Sequence, residues 1–405
     1  MGGGLIQLVA VGVQDIYMIG NPQITFFKTV YKRHTNFAIE SMPQSIDGRT
    51  DFGQTIEITI DRKGDLIRDI ICNVELPILP AGYYWTNGIG NALIRQVDLE
   101  IGGQLIDRHY SEWMDIWSQL TINESKIGGY NQMVGNYNSL SSLQNNAQAI
   151  LKLNIPFFFW FNRDWSTALP LIALQYHDVK LRIYLRDFNS CYRNDTTNTF
   201  LTGSEYSIRN FQVWVDYIFL DMDERREFAQ QQHEILIDQV QIAGDEFIEK
   251  SQNALGKRLL FNHPVKELYW IHTCNDYLQQ NLITGNQCLN YSLPTSVETF
   301  SSGLVQLNGI DRFKTRSAEY FRLVQNYQYH TRYSAKNIYT YSFGLFPEKQ
   351  NPSGTCNMSK ITTLTLYLGY GDIDHSDNNM ILKVFGVNYN ILRIMSGMAG
   401  LSWSN

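Results

Sequence analysis

Apolar and polar residues alternate with a period of two through much of the chain. Ile56, Ile58 and Ile60 alternate with Thr55, Glu57 and Thr59, and Val179, Leu181, Ile183 and Leu185 alternate with Lys180, Arg182, Tyr184 and Arg186. Successive side chains of a strand point to opposite faces, so each run predicts a strand with one buried face. Long segments rich in Asn, Ser, Thr, Gly and Gln separate the runs, at 123–148, 187–206 and 275–302. Segments of this composition are expected to cover a solvent face as exposed, variable loops.

The elements recur in the same order in the two halves. Leu99-Glu100-Ile101-Gly102-Gly103, running into Ile106-Asp107-Arg108, matches Val305-Gln306-Leu307-Asn308-Gly309 running into Ile310-Asp311-Arg312. Gly-Gly and Asn-Gly both supply the positive φ angles of a tight hairpin. An amphipathic helix is predicted after each hairpin, with apolar stripes Trp113, Ile116, Trp117, Leu120 and Tyr320, Leu323, Val324, Tyr327 at i, i+3, i+4, i+7 spacing. Further on, Leu181, Ile183 and Leu185 correspond to Leu364, Leu366 and Leu368. Phe211, Val213, Val215 and Tyr217 correspond to Phe385, Val387, Tyr389 and Ile391. A hairpin, a helix and two strands in the same order indicate a duplicated domain.

Antiparallel strands with an inserted helix, written twice, predict an all-β fold of two consecutive eight-stranded antiparallel jelly rolls with short inserted helices. We divide the chain into an N-terminal arm over 1–36, a first jelly roll over 37–220, a linker over 221–232 and a second jelly roll over 233–405. The charged, Gln-rich linker has the composition of a short helix.

With 405 residues and 44% hydrophobic content, each half can bury its own core. The 33 Lys and Arg against 39 Asp and Glu leave a net charge of -6, so no global positive field exists to neutralise phosphates, and direct contact with nucleic acid is not expected. Cys72, Cys191, Cys274, Cys288 and Cys356 are widely spaced without a C-x-x-C pair and read as free thiols in a reducing compartment. The apolar 2–13 segment lacks a basic n-region and is too short to span a membrane, so it reads as part of the arm, not as a signal peptide. Gly2 is followed by Ile6 where a myristoylation pattern has Ser or Thr.

Catalytic constellations are missing. The chain holds no G-x-S-x-G elbow, no G-x-x-x-x-G-K-[ST] phosphate loop and no H-E-x-x-H zinc helix, and none of its eight histidines forms the His-x-His pair of a cupin metal site. His233-Glu234 and Gly88-Ile89-Gly90 are fragments of such motifs and read as structural. The acidic run 372–379 has carboxylates that suit calcium but lacks the glycine and terminal glutamate of an EF-hand, so it reads as a solvated connection. We therefore expect no enzyme, no catalytic residue, no cofactor and no metal. Four N-x-[ST] sequons, at Asn123, Asn194, Asn290 and Asn357, fall in expected loops as candidate glycosylation sites.

One segment stands apart. Residues 20–41 interleave aromatic and β-branched residues with the basic group Lys28, Lys32, Arg33 and His34, the composition of an arm that docks on a partner. Its stretch 20–38 resembles the N-terminal signature of major capsid proteins of the nucleocytoplasmic large DNA viruses of algae and protists. Residues 352–359 and the ending 387–401 resemble the same family, so the likeness runs from one terminus to the other. The resemblance implies a double jelly-roll subunit that trimerises into a pseudo-hexameric capsomer, contacts neighbouring capsomers and tiles an icosahedral virion capsid synthesised and assembled in the host cytoplasm. It also implies that the arm lies at the capsomer base, near minor capsid proteins and an internal viral membrane. Phe26, Phe27, Val30 and Tyr31 would then be its anchors, with Lys28, Lys32 and Arg33 as polar contacts. Two other readings compete: a minor capsid or penton-type protein of the same viruses, and a glycan-binding jelly-roll lectin that would use the aromatics Tyr83-Tyr84-Trp85.

Overall fold

The computed structural model describes residues 3–137, 139–294, 297–371 and 379–403. It divides into two compact units, residues 1–36 and 37–405. The acidic run at 372–379 falls almost wholly outside the described residues.

The first unit holds helix α1 (Gly3–Val9), a single helical turn at Ile16–Ile19 and otherwise irregular chain. Neither helix buries a residue. Too few apolar groups converge for this unit to make a core of its own.

The second unit opens with eight main strands, besides short ones at Tyr83–Trp85, Leu169–Pro170 and Tyr192–Asn194: β1 (Phe37–Pro43), β2 (Thr55–Thr59), β3 (Leu66–Leu76), β4 (Ile94–Ile101), β5 (Gln104–Tyr110), β6 (Leu151–Pro156), β7 (Val179–Leu185) and β8 (Asn210–Leu220). Helix α2 (Ser111–Thr121) follows β5, and helix α3 (Met222–Gln230) occupies the connector after β8. Eight more strands that continue this pattern come next, besides short ones at Arg316–Ser317 and Cys356–Asn357: β9 (His233–Ile248), β10 (Ala254–Leu259), β11 (Pro264–Cys274), β12 (Ser302–Leu307), β13 (Ile310–Asp311), β14 (Tyr339–Ser342), β15 (Leu364–Gly369) and β16 (Met380–Met395). Strand β17 (Met398–Leu401) hairpins back on β16. Helix α4 (Gln325–Tyr329) lies between β13 and β14 and is entered through a π-type turn at Tyr320–Val324.

Strand order repeats without exception across the main strands. The first set forms the sheets β1-β8-β3-β6 and β2-β7-β4-β5, and the second forms β9-β16-β11-β14 and β10-β15-β12-β13. Adding eight to each label of the first set gives the second. All pairings are antiparallel. Each pair of sheets packs face to face, which is the jelly-roll arrangement. Both hairpin signals act as expected: Gly102 and Gly103 turn β4 into β5 with φ of 58° and 79°, and Asn308 and Gly309 turn β12 into β13 with φ of 51° and 79°.

The alternating runs face inward. Ile56, Ile58 and Ile60 join Leu181, Ile183, Phe211, Val213 and Val215 in the first core, while Leu364, Leu366 and Leu368 join Val305, Phe321 and Trp270 in the second. Two expectations about faces fail. In β16 the second core is filled by Met380, Leu382 and Val384, and Phe385 and Val387 point the other way. A shift of one residue exchanges the two faces of a strand, so the matching order of β8 and β16 did not carry a matching phase. Around α4 the side turned to its own roll carries Phe321, Gln325 and Asn326, whereas Leu323, Val324 and Tyr327 are 39%, 40% and 86% exposed.

The polar insertions are also more structured than their composition suggests. Residues 123–148 carry two helices, Glu124–Val134 and Leu140–Ala147. Segment 275–302 buries Leu282, Leu289, Tyr291, Leu293 and Phe300. All five cysteines are unpaired, and four of them are buried.

Candidate functional site

A jelly roll covers one face of each sheet with its partner sheet and leaves the outward face to solvent or to another element. In the second roll, α2 from the first roll supplies that cover. Its stripe Trp113, Ile116, Trp117 and Leu120 is at most 3% exposed and packs on Tyr269 and Ile271 of β11 and on Phe385 and Val387 of β16. The Trp113 ring stands edge-on to Tyr269 at 5.1 Å and lies 5.8 Å from Phe385. Met114, on the opposite side of the helix, enters the first core. This explains why every residue from Val265 to Cys274 in β11 is buried: the strand is covered on both faces, and such strands read as nearly continuous apolar runs.

Charged groups are trapped in the same seam. Lys266 donates to Asp238 at 2.8 Å, and Arg163 from the first roll reaches the same carboxylate oxygen at 3.2 Å. The Arg163 guanidinium also stacks 3.8 Å above Trp117. Burial holds the Lys266 amine and the Arg163 guanidinium below their ordinary pKa values in spite of Asp238. Lys383 of β16 pairs with Glu112 of α2 at 2.7 Å, and Lys336 pairs with Asp115 of α2 at 2.7 Å. Burial would raise the Glu112 carboxyl, but Lys383 and Arg186 outweigh it and hold it below the usual range. Arg332 closes the row, its Nε donating to the Gln119 carbonyl at 2.8 Å.

His330 sits in the second roll between two carboxylates. Its Nε2 lies 2.9 Å from Glu267 and its Nδ1 lies 2.9 Å from Glu348, with the imidazole fully buried. Both ring nitrogens can donate only in the imidazolium form. Burial works against that charge, yet Glu267 and Glu348 prevail and raise the pKa to about 9. Glu267 also accepts from the Tyr269 hydroxyl at 2.7 Å, which ties the pair to the aromatic seam.

These residues were not singled out in the sequence. A signal for them existed: Lys266 and Glu267 interrupt an apolar strand, and Glu112 and Asp115 interrupt the Trp113 stripe. Charges at such positions are retained in a core only as paired, hydrogen-bonded groups.

The expected site residues are distributed differently. Phe26, Phe27, Val30 and Tyr31 of the arm are 91%, 99%, 74% and 77% exposed, and Lys28, Lys32 and Arg33 are exposed as well. Each sequon asparagine uses its side-chain oxygen to hold a local turn. Asn123 accepts from Ser125, Asn194 from Thr196 and Thr197, Asn290 from Ser292 and Asn357 from Ser359. Asn194 is only 4% exposed, whereas Asn123 and Asn357 are open to solvent. Of the aromatics that a lectin would present, Tyr83 is half-buried and the other two are interior groups. Tyr84 and Trp85 are each 1% exposed, the Tyr84 hydroxyl donates to Asp195, and Trp85 is stacked on Phe52 at 6.1 Å.

Comparison with known proteins agrees with this architecture. The family model described as the major capsid protein N-terminus matches residues 25–221, and that described as large eukaryotic DNA virus major capsid protein matches residues 224–400. The chain is 42% identical, over the full length of both, to the major capsid protein of Pyramimonas orientalis virus. It superposes with a TM-score of 0.80 on the quasi-atomic model of the PBCV-1 virus capsid, at 35% identity, covering 94% of this chain and all of that one. The Faustovirus major capsid protein shares the fold with a TM-score of 0.77 at 14% identity, covering 95% and 94% of the two chains. Two jelly rolls locked through a buried aromatic and ionic seam, and full-length likeness to capsid subunits, place the chain in the major capsid protein family of large eukaryotic DNA viruses.

Proposed function

We propose that three copies of this chain close into a ring of six jelly rolls, a pseudo-hexameric capsomer that tiles the viral shell against neighbouring capsomers. The observation that carries this reading is the duplication itself: two rolls with the same strand order, joined side by side, so that one chain fills two neighbouring positions of a six-position ring. The role is geometric and needs no turnover. The seam suits it, because a shell subunit must hold its two rolls at one fixed angle, and buried paired charges with stacked aromatics penalise any other arrangement.

The arm extends the proposal. Its apolar side chains are exposed, and Phe26, Phe27, Val30 and Tyr31 beside Lys28, Lys32 and Arg33 suit docking on minor capsid proteins or the internal viral membrane. Assembly in the host cytoplasm, and glycan attachment at the exposed sequons Asn123 and Asn357, belong to the same reading. The mass of the purified native protein tests the ring: a trimer is expected, and a monomer at every concentration would refute it. Copy number in purified particles separates a major from a minor capsid role. Removal of residues 1–35 tests the arm, since capsids that still assemble unimpaired would rule out its docking role.

A further inference from the structure

The seam inside the chain is a template for a contact the chain leaves unmade. Matched by their spacing within each helix, Trp113, Met114, Ile116, Trp117 and Leu120 of α2 correspond to Tyr320, Phe321, Leu323, Val324 and Tyr327 around α4. The two helices treat their own rolls alike, with Met114 entering the first core and Phe321 the second. Their other sides differ. The α2 stripe is buried on the outward face of sheet β9-β16-β11-β14, whereas Leu323, Val324 and Tyr327 are exposed.

The equivalent sheet of the first roll, β1-β8-β3-β6, has an outward face on which the polar row Gln212, Asn73, Asn154 runs beside an apolar one. Under α2 the covered row runs Ile242, Phe385, Tyr269, Thr340 directly across four strands. On the first roll an apolar row crosses the four equivalent strands: Pro43, Trp214, Ile71, Pro156. Pro43 is exposed, and Trp214, Ile71 and Pro156 are only half-buried. Beside the α4 stripe, Leu323, Tyr327 and Tyr333 share the lining of an open hollow of about 740 Å³ with the charged side chains of Glu124 and Arg332.

We infer that the α4 stripe of one copy docks on the Pro43, Trp214, Ile71, Pro156 row of a second copy of this chain, repeating between subunits the contact that α2 makes within one. This rests on the proposed ring of three and assigns its interface. The contact is heterologous: each copy offers one α4 stripe and one open row, so it propagates head to tail and closes when the last stripe meets the first row. An apolar stripe of this size on a lone subunit is also the kind of surface that soluble proteins cover.

Native mass spectrometry of the full-length chain provides the test. The variants are Leu323→Asp/Tyr327→Asp on the stripe and Trp214→Asp on the row, with Leu260→Asp, at a site 75% exposed, as the control. Each interface variant should remain folded by circular dichroism yet need at least about 30-fold more protein than wild type for half-assembly. The control should assemble as wild type does. A mixture of the two interface variants retains one good stripe and one good row, so it should yield a one-to-one dimer, which a self-complementary patch could not produce. Interface variants that assemble at wild-type concentrations, or folded monomeric variants whose mixture gives no dimer, would overturn this interface and leave the ring standing. A wild-type chain that never trimerises would overturn both.

Discussion

Replacing His330 by glutamine removes the cation that bridges Glu267 and Glu348, two acidic groups held 2.9 Å from its two ring nitrogens. The histidine's pKa stands at about 9 in the folded chain against 6.5 in the ordinary state. At ~1.36 kcal/mol for each pH unit, that difference corresponds to about 3 kcal/mol of stability carried by the charged form. The sign follows from the raised value: the contribution is fully present below pH 6.5 and is lost as pH rises to about 9. Guanidinium unfolding of wild type and His330→Gln at several pH values between 6 and 9.5 isolates the effect, since the difference between the two curves cancels other titrating groups such as Lys266. The variant should be about 3 kcal/mol less stable at pH 6, and the gap should close towards pH 9. Parallel stability curves across that window would refute the assignment of a buried imidazolium.

The rest of the seam yields further tests. Trp113→Ala empties the middle of the aromatic layer and should cost about 3–5 kcal/mol in the same unfolding measurement. Lys383→Met leaves Glu112, whose side chain is 9% exposed, without its ion-pair partner and with only Arg186 as a nearby cation, and should cost up to about 3 kcal/mol, while adding Glu112→Leu should restore most of the loss. Gly102→Ala places a Cβ within 2.2–2.6 Å of the His177 ring at a φ of +58°, so a clear drop in melting temperature is expected, larger than for Gly103→Ala, where the space is open.

What could be read from the chain alone was whatever depends on local period and turn chemistry. Alternating apolar residues marked the strands, Gly102-Gly103 and Asn308-Gly309 marked the hairpins, and their recurrence marked two copies of one domain. The charged connector after β8 is a helix because its residues favour one and Asp221 caps the first turn, its side chain accepting from the Met222 amide. These features are local: neighbours within a few residues settle them.

Tertiary structure decided which face meets what. The stripes on α2 and around α4 look equivalent in sequence, yet one is buried and the other exposed, because only the first has a second roll beside it within the same chain. Phase in β16 was likewise invisible, since a strand covered on both sides offers apolar residues on both faces and period two no longer identifies the inner one. The ionic seam joins residues as far apart as Glu112 and Lys383, whose pairing costs nothing to write in a sequence but exists only once both rolls are folded and set side by side. Whether a charge is buried and paired, or an apolar stripe left exposed, depends on long-range packing, and packing between distant segments leaves no periodic trace along the chain.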